Sequence, residues 1–354
     1  MAAVLTLSCG TGKPFVIGFA ASLSGNNYQL GLDGRNAAEL YVRDVNSAGG
    51  INGRQVRLVI RDLGSTPSRV PTAVTELSHE GEKVIVGFYT STEAVAAIEA
   101  ARGTGVPLVS PAATASSLTG KDDGFYRTIM SSEGDAPILA GHMKSRGLTR
   151  VLILGATGNA TYVDTYAIPL GSLVTVVGDI RFGSTAGIDW QNIGAIHDSV
   201  GYDAVLIIAS ALDTGALAQE LNKRGLSAPL YASGWAGNKD VIEYGGKSVE
   251  GLVFVHQIDT EAEGVRHMAA RYQEVFRTQP SFSAIQTWES MEYVCIALRQ
   301  ARGRSGQFAG ALASIRSFQG LIGTITMDES GDASRKAFLK RVAKGSIIVD
   351  ATGN

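Results

Sequence analysis

The sequence VIVGFYTSTEAVAAIEAARGTGVPLVSPAAT, residues 84–114, decides the class of fold. Residues 84–87 and 107–110 are short apolar runs, which predict buried strands. Between them, residues 93–101 have apolar side chains at helical spacing. A strand, a helix and a second strand within so short a stretch predict a parallel strand pair joined by a crossover helix.

The same alternation extends in both directions from this stretch. It restarts after a break near residues 127–135, and two such units predict two parallel sheets with helices on both faces, an α/β fold. The other predicted strands lie at 15–20, 56–60, 150–154, 174–179, 204–208 and 230–232, and the other predicted helices at 30–46, 70–78 and 214–224.

The last hundred residues do not continue the alternation. They predict helices at 263–279, 282–301 and 308–318 and a strand pair formed by residues 323–327 and 346–349. These elements must complete the two units already begun, so the chain is expected to cross between the units more than once.

Composition excludes several classes of function. The chain has 354 residues and a net charge of -2, and its basic residues are scattered, so neither nucleic acid nor anionic lipid is an expected partner. Its five histidines show no metal-binding spacing, and no phosphate loop, dinucleotide motif or GxSxG elbow occurs. We therefore expect no metal site, no cofactor and no catalytic residue; the protein is predicted not to be an enzyme.

The two cysteines have different contexts. Cys295 lies in the apolar run YVCIAL and is predicted to be a buried thiol. Cys9 follows the run VLTLS and precedes a glycine, which resembles the end of a bacterial lipoprotein signal, although Thr6 stands where an aliphatic residue is usual. A lipid on Cys9 is thus one possible anchor, and residues 1–12 are interpreted as a residual signal or linker.

From Lys13 onward the chain resembles the branched-chain amino-acid (Leu/Ile/Val) binding proteins, the extracellular ligand-binding receptors of bacterial ABC transporters. Motifs in the family's order and spacing carry the resemblance. They are IGF at 17–19 with LSG at 23–25 and VNSAGGING at 45–53, VGFYTST at 86–92, PLVSPAAT at 107–114 with LT at 118–119 and FYR at 125–127, and FQG at 318–320 with ITMDESGD at 325–332.

The resemblance implies the type I periplasmic binding protein fold, in which two Rossmann-like lobes with parallel sheets are joined by a three-segment hinge. Lobe one is predicted to comprise residues 13–132 and 256–322, and lobe two residues 133–255 and 323–354. The lobes are expected to close on a ligand in the cleft between them by bending near residues 131–134, 255–258 and 322–324.

The predicted ligand site lies where strands end, since ligands of open parallel sheets bind beyond the carboxyl ends of the strands. Helix N-termini beside these loops offer unpaired N–H groups to an anion such as a carboxylate. By resemblance, Ser91 and Thr114 hold the ligand carboxylate and Ala112 supplies a carbonyl; alternatively, the hydroxyls only cap helices. The full predicted set is Tyr28, Leu30, Tyr89, Ser91, Thr92, Ala112, Ala113, Thr114, Tyr162 and Trp235.

The second unit departs from the amino-acid receptors. By alignment, Gly234 stands where they carry an acid that pairs with the ligand ammonium, and an unpaired buried ammonium is costly. An acid from elsewhere, Asp213 or Glu289, would restore that site. Trp235, Tyr28 and Trp288 offer aromatic faces for an apolar ligand body.

These features predict an extracytoplasmic solute-binding protein of an ABC importer. Its ligand is expected to be a small aromatic or apolar carboxylate without an α-ammonium, which it delivers to an inner-membrane permease. The location is expected to be periplasmic or otherwise extracytoplasmic, with the membrane contacted only through a lipid on Cys9. Two alternatives remain: a receptor for branched-chain or other amino acids, and a regulatory protein of the same fold that senses amides or urea.

Overall fold

The computed structural model describes residues 12–25, 28–64, 67–79, 84–302 and 304–350, and Cys9 lies outside these ranges. The first sheet has the order β2-β1-β3-β4-β5, and all its neighbouring strands are parallel. Its strands are β1 Phe15–Ala21, β2 Val56–Asp62, β3 Ile85–Gly87, β4 Leu108–Ser110 and β5 Phe125–Arg127. The helices that alternate with them are α1 Tyr28–Ser47, α2 Val70–His79 and α3 Ser91–Ala101.

The second sheet has the order β15-β14-β10-β9-β8-β6-β7, and only β14 and β15 are antiparallel to their neighbours among the described strands. Its strands are β6 Arg150–Ala156, β7 Thr175–Phe182, β8 Ala204–Ile208, β9 Leu230–Ala232, β10 Val253–His256, β14 Phe338–Ala343 and β15 Ser346–Val349. Its helices are α4 Asp135–Ser145, α5 Ala160–Leu173, α6 Trp190–Ser199, α7 Ala211–Lys223 and α8 Asp240–Gly245. Two lobes built on parallel strands confirm the predicted α/β class.

The remaining elements return to the first lobe. They are the helices α9 Glu263–Phe276, α10 Phe282–Ala301 and α11 Phe308–Ser314 and a small antiparallel sheet of β11 Ser317–Gln319, β12 Thr324–Met327 and β13 Ala333–Ser334. Helix α10 packs along α1. Cys295 on α10 is fully buried, as predicted.

Two predictions for the C-terminal region were wrong. Residues 323–327 and 346–349 do not pair with each other, since β12 pairs with β11 and β13, and β15 pairs with β14. The predicted helix at 308–318 ends at Ser314, and β11 follows it. The chain also enters the second sheet later than the predicted boundary after residue 322. It first completes the small sheet, where Asp332 bonds Arg127 at the end of β5.

The segments that pass between the lobes contact one another. The Met130 N–H donates to Gln257 Oε1 and Gln257 Nε2 donates to the Met130 carbonyl, both at 2.9 Å. Arg335, on the later passage, contacts the Thr128 carbonyl at 3.5 Å. These side-chain hydrogen bonds join connecting segments that are distant in sequence. A hinge made of several such segments requires contacts of this kind.

Candidate functional site

A cavity of about 860 Å³ lies between the lobes. This volume falls within the range of about 300–1,000 Å³ usual for small-molecule sites. The first lobe contributes Tyr28 and Leu30 from the start of α1 and Phe282 from the start of α10, and the second contributes Trp235 and Tyr244. The cavity therefore has aromatic and apolar side chains on both sides of the cleft.

The parallel topology explains why these residues meet. Strands β8 and β9 point the same way, so Ser210 and Trp235, which follow them, lie at the same edge of the second sheet. Helix α1 begins just after β1 of the first sheet and brings Tyr28 and Leu30 to the facing edge. Three predicted residues, Tyr28, Leu30 and Trp235, thus line the cavity.

The loops of Ser91 and Thr114, which were predicted to bind a carboxylate, are packed against neighbouring residues. They do not line this cavity. Thr90, rather than Ser91, caps α3, since its side chain accepts from the Glu93 N–H in a capping box. Ser91 is buried, and its Oγ accepts from the Ala115 N–H at 3.1 Å, which ties the loop after β3 to the loop after β4. The interpretation of Ser91 as a helix cap is therefore wrong.

The loop at 112–114 is held by its neighbours. The amides of Ala112 and Ala113 donate to Ser110 Oγ at 3.3 and 3.0 Å. Thr114 is buried, and its Oγ1 accepts from Ser132 Oγ at 3.1 Å. The loop is thus rigidly placed at the carboxyl end of β4, beside the passage to the second lobe.

Beside these loops the lobes touch. The Thr92 N–H donates to Asn159 Oδ1 and its Oγ1 contacts Thr161 Oγ1, both at 3.3 Å. The Ser116 N–H donates to Thr165 Oγ1 at 3.2 Å. Thr92 accordingly bridges the lobes in this structure.

Tyr89 and Trp288 belong to the core of the first lobe. Tyr89 is buried, and its Oη lies 2.6 Å from Thr287 Oγ1 on α10. Trp288 packs edge-on against Tyr41 with ring centroids 5.0 Å apart. Neither lines the cavity.

Tyr162 joins a buried polar cluster of the second lobe. Its Oη lies 3.0 Å from Tyr166 Oη, and Tyr166 donates to Asp135 Oδ2 at 2.6 Å. The ring of Trp235 meets Tyr162 edge-on, with centroids 6.1 Å apart. The Gly234 N–H approaches Tyr166 Oη at 3.5 Å. The cluster therefore connects the cavity wall at Trp235 to a buried carboxyl.

Sequence reasoning missed Asp135. The sequence named Asp213 or Glu289 only as acids that would restore an ammonium site; Glu289 is paired with Arg335, whereas Asp213 lines the cavity and accepts from Ser210 Oγ. Burial raises the pKa of Asp135 to about 7, although hydrogen bonds from Tyr166 and Ser132 oppose the shift. Only one feature of the sequence indicated this role: Asp135 stands in the first turn of α4, the helix that follows the first segment connecting the lobes.

Replacing Asp135 with asparagine should flatten the pH dependence of stability between about pH 4 and pH 7. The unfolded chain loses this proton near the ordinary value of 3.8, whereas the folded protein keeps it up to about 7. The folded state binds more protons in this window, so the free energy of unfolding of the wild type falls as pH rises. Urea unfolding at a series of pH values measures the slope. Identical slopes in wild type and D135N would contradict the prediction.

The cavity carries charges of both signs. Asp33 on α1 is buried and accepts from Gln29 Nε2 at 3.2 Å and from Tyr272 Oη at 3.5 Å. Burial raises its pKa, and the charge of Asp240 in the second lobe adds to the shift. Lys340 on β14 also faces the cavity. The site can therefore contact polar groups of a ligand as well as its apolar body.

Two lobes around such a cavity are the architecture of a ligand receptor, and the comparison of sequences agrees. The family model described as periplasmic binding protein matches residues 14–346. The chain belongs to the periplasmic binding protein family. This family consists of solute-binding receptors of the ABC-transporter type, as the sequence motifs predicted.

This periplasmic binding protein is similar to Leu/Ile/Val-binding protein homolog 3 of Brucella melitensis. The two are 24% identical over 347 residues, which cover 95% of this chain and 93% of that relative. No helix in the described part of the chain is long and apolar enough to cross a membrane.

Solved structures confirm the type I fold. The branched-chain amino acid transporter substrate binding protein LivJ from Streptococcus pneumoniae, in complex with isoleucine, matches with a TM-score of 0.85 and 21% identity over 94% of this chain and 97% of that one. An ABC transporter solute binding protein from R. palustris, in complex with benzoate, matches with a TM-score of 0.83 and 19% identity over 95% of each chain.

Proposed function

We propose that this protein is the extracytoplasmic receptor of an ABC importer and that it binds a small carboxylate with an aromatic or apolar body and no α-ammonium. One observation carries the proposal: the cavity between the lobes has aromatic and apolar walls from both sides, including Tyr28, Phe282 and Trp235. Closure of the lobes around the ligand would present it to an inner-membrane permease. A lipid on Cys9 remains a prediction.

The family resemblance, rather than the cavity lining, supports a carboxylate at the loops of Ser91 and Thr114. The Ser91 hydroxyl accepts a hydrogen bond from Ala115 and makes no other hydrogen bond to the described residues, so its proton can be donated to a ligand oxygen. The relative that binds benzoate has the same fold, and benzoate is a carboxylate without an amine.

The second candidate is an amino-acid receptor. It is favoured by Asp135, a buried acid that reaches the backbone of Gly234 through Tyr166, close to the position where the resemblance places an acid. The relative that binds isoleucine has the same fold. The two candidates differ in whether the bound ligand carries an ammonium group.

A thermal-shift panel separates the candidates. We expect benzoate, 3,4-dihydroxybenzoate or an aliphatic acid to raise the melting temperature, since a ligand at a hundred times its Kd adds about 2.7 kcal/mol to the free energy of unfolding. Leucine, valine and phenylalanine should have no effect. Stabilisation by leucine or valine alone would identify an amino-acid receptor and overturn the carboxylate proposal.

Two variants test the loops with terephthalate, a dicarboxylate that can place one acid at the loops and the other elsewhere in the cavity. S91A and T114A should each weaken binding by about 1.5–3 kcal/mol, because each removes a hydrogen bond to a charged group. S116A is the matched control, since the Ser116 hydroxyl in the same loop makes no hydrogen bond to the described residues. Calorimetry measures the affinities. Equal affinities for S91A, T114A and S116A would mean that these loops do not hold the carboxylate.

A further inference from the structure

Lys340 lies on the wall of the cavity, with most of its side chain buried and its ammonium group open to the cavity. It lies on β14 opposite Phe254 of β10, and only 5% of its surface is exposed. Its ammonium group makes no hydrogen bond or ion pair with any residue in the described ranges. Burial lowers its pKa, and the charges of Asp259 and Glu261 oppose this shift from a distance. The Lys340 Nζ is open to the cavity, so an anion bound there can contact it directly through a charge-assisted hydrogen bond.

His256 supplies a second donor on the same side of the sheet. Its Nδ1 accepts from the Ile258 N–H at 3.1 Å, which leaves the proton of the neutral ring on Nε2. Burial, together with the charges of Lys340 and Arg335, lowers its pKa to about 3, so the ring is neutral at physiological pH. His256 also lines the cavity, and its Nε2 is bonded to no described residue.

The loop after β9 leaves room for this arrangement. A Cβ at Gly237 would lie 2.6 Å from His256 Cδ2, and a Cβ at Gly234 would lie 2.8 Å from the Val255 carbonyl. Glycine at both positions lets the His256 ring pack directly against the loop. The His256 ring also lies beside Gly234, where a Cβ would be 3.5 Å from His256 Cδ2.

The other lysine of the cavity is different. Lys239 lies 3.3 Å from Glu243, and both side chains are largely exposed. The acids Asp33, Asp213 and Asp240 also line the cavity, but none of them pairs with Lys340. The ammonium group of Lys340 is therefore free to pair with an anionic group of a bound ligand.

We propose that Lys340 and His256 form an anion-binding site in the cavity, distinct from the loops of Ser91 and Thr114, and that they bind an acidic group of the ligand. This inference rests on the proposed function and narrows it. A monocarboxylate would use this site directly, and a dicarboxylate would use both this site and the loops. A neutral amide cannot replace the acid, because it leaves the ammonium unpaired.

The experiment compares K340M with K239M by calorimetry, using benzoate, its 1,4-dicarboxylate analogue terephthalate, and benzamide. We expect K340M to weaken binding of the acids by at least about tenfold, since a hydrogen-bonded contact between charges is lost. K239M should bind within about threefold of the wild type, because its lysine is exposed and already paired. Benzamide should bind all three proteins weakly and alike.

The empty proteins provide an independent measurement. Because the Lys340 ammonium faces the cavity and bonds to no described residue, its removal should leave the melting temperature of K340M equal to or above that of the wild type. A lower melting temperature would show that the ammonium has a structural partner and would overturn the inference.

The failures are distinguishable. If the acids bind K340M as tightly as the wild type, the anion site is wrong and the carboxylate receptor stands. If leucine binds wild type and K340M alike and no acid binds, both the anion site and the carboxylate proposal are wrong. If benzamide binds as tightly as benzoate, the site does not recognise charge.

Discussion

Replacing Arg127 with methionine is expected to lower the free energy of unfolding by about 3–5 kcal/mol, the usual cost of removing one partner of a buried ion pair. Arg127 is fully buried, and its Nε donates to Asp332 Oδ1 at 2.6 Å. Its Nη1 reaches the Ala115 carbonyl at 3.0 Å and its Nη2 reaches Thr119 Oγ1 at 2.7 Å. One guanidinium thus joins β5, the loop after β4 and the small sheet.

The same change should also weaken ligand binding, because the loop at 113–119 loses its main anchor. Urea unfolding and calorimetry measure the two effects. R102M is the matched control: Arg102 pairs with Glu99 at the surface, where both side chains are mostly exposed, so its loss should cost less than about 1 kcal/mol. R127K should recover little of the stability, because lysine lacks the planar fork. A stable R127K would show that charge alone suffices.

Breaking the pair between Glu289 and Arg335 is expected to have a similarly large effect. Arg335 Nη1 lies 2.5 Å from Glu289 Oε2 and Nη2 lies 3.2 Å from Oε1, and both side chains are almost wholly buried. Glu289 Oε1 also accepts from the Leu321 N–H at 2.9 Å. E289Q or R335M alone should each cost about 3–5 kcal/mol, because the remaining charge is left buried and unpaired.

The double variant E289L/R335M should be markedly more stable than either single variant. Replacing both members of a buried pair with apolar side chains is often close to neutral, because no desolvated charge remains. A double-mutant cycle by urea unfolding measures the coupling. Additive losses would contradict the prediction and would show that the two residues act independently.

The ion pair between Glu289 and Arg335 also lies next to the segments that connect the two lobes. Arg335 follows the small sheet on the way to β14, and Glu289 lies on α10 of the first lobe. Arg335 Nη1 also contacts the Thr128 carbonyl, and Thr128 Oγ1 lies 2.6 Å from Ser290 Oγ. The ion pair and its neighbouring hydrogen bonds therefore hold two of the segments that connect the lobes against α10.

Local sequence determined most of the fold. The apolar runs at 15–20, 56–60 and 204–208 lie within β1, β2 and β8, and helix α10 has the bounds that its spacing predicted. These elements were predictable because their side chains repeat with the period of a strand or a helix, and that period is set by near neighbours. The placement of loops at the carboxyl ends of the strands then follows from parallel topology.

Strands without that signal were missed. β5 has only three residues, and β14 has the sequence FLKRVA, whose two adjacent charges indicate a surface loop. β14 is nevertheless a strand, because it pairs with β10 across more than eighty intervening residues. The sequence pattern within β14 carries no information about its pairing with β10.

The sequence by itself determined the two lobes, the loops at the strand ends and the aromatic residues Tyr28 and Trp235 as candidates for the cleft. Only the tertiary structure decided which charges are buried there. Asp135 and Lys340 look like ordinary surface residues in sequence, and the shifts of their pKa values depend on burial by elements that are distant in the chain. Burial is a property of the assembled lobes, whereas hydrophobic period is a property of a few neighbouring residues.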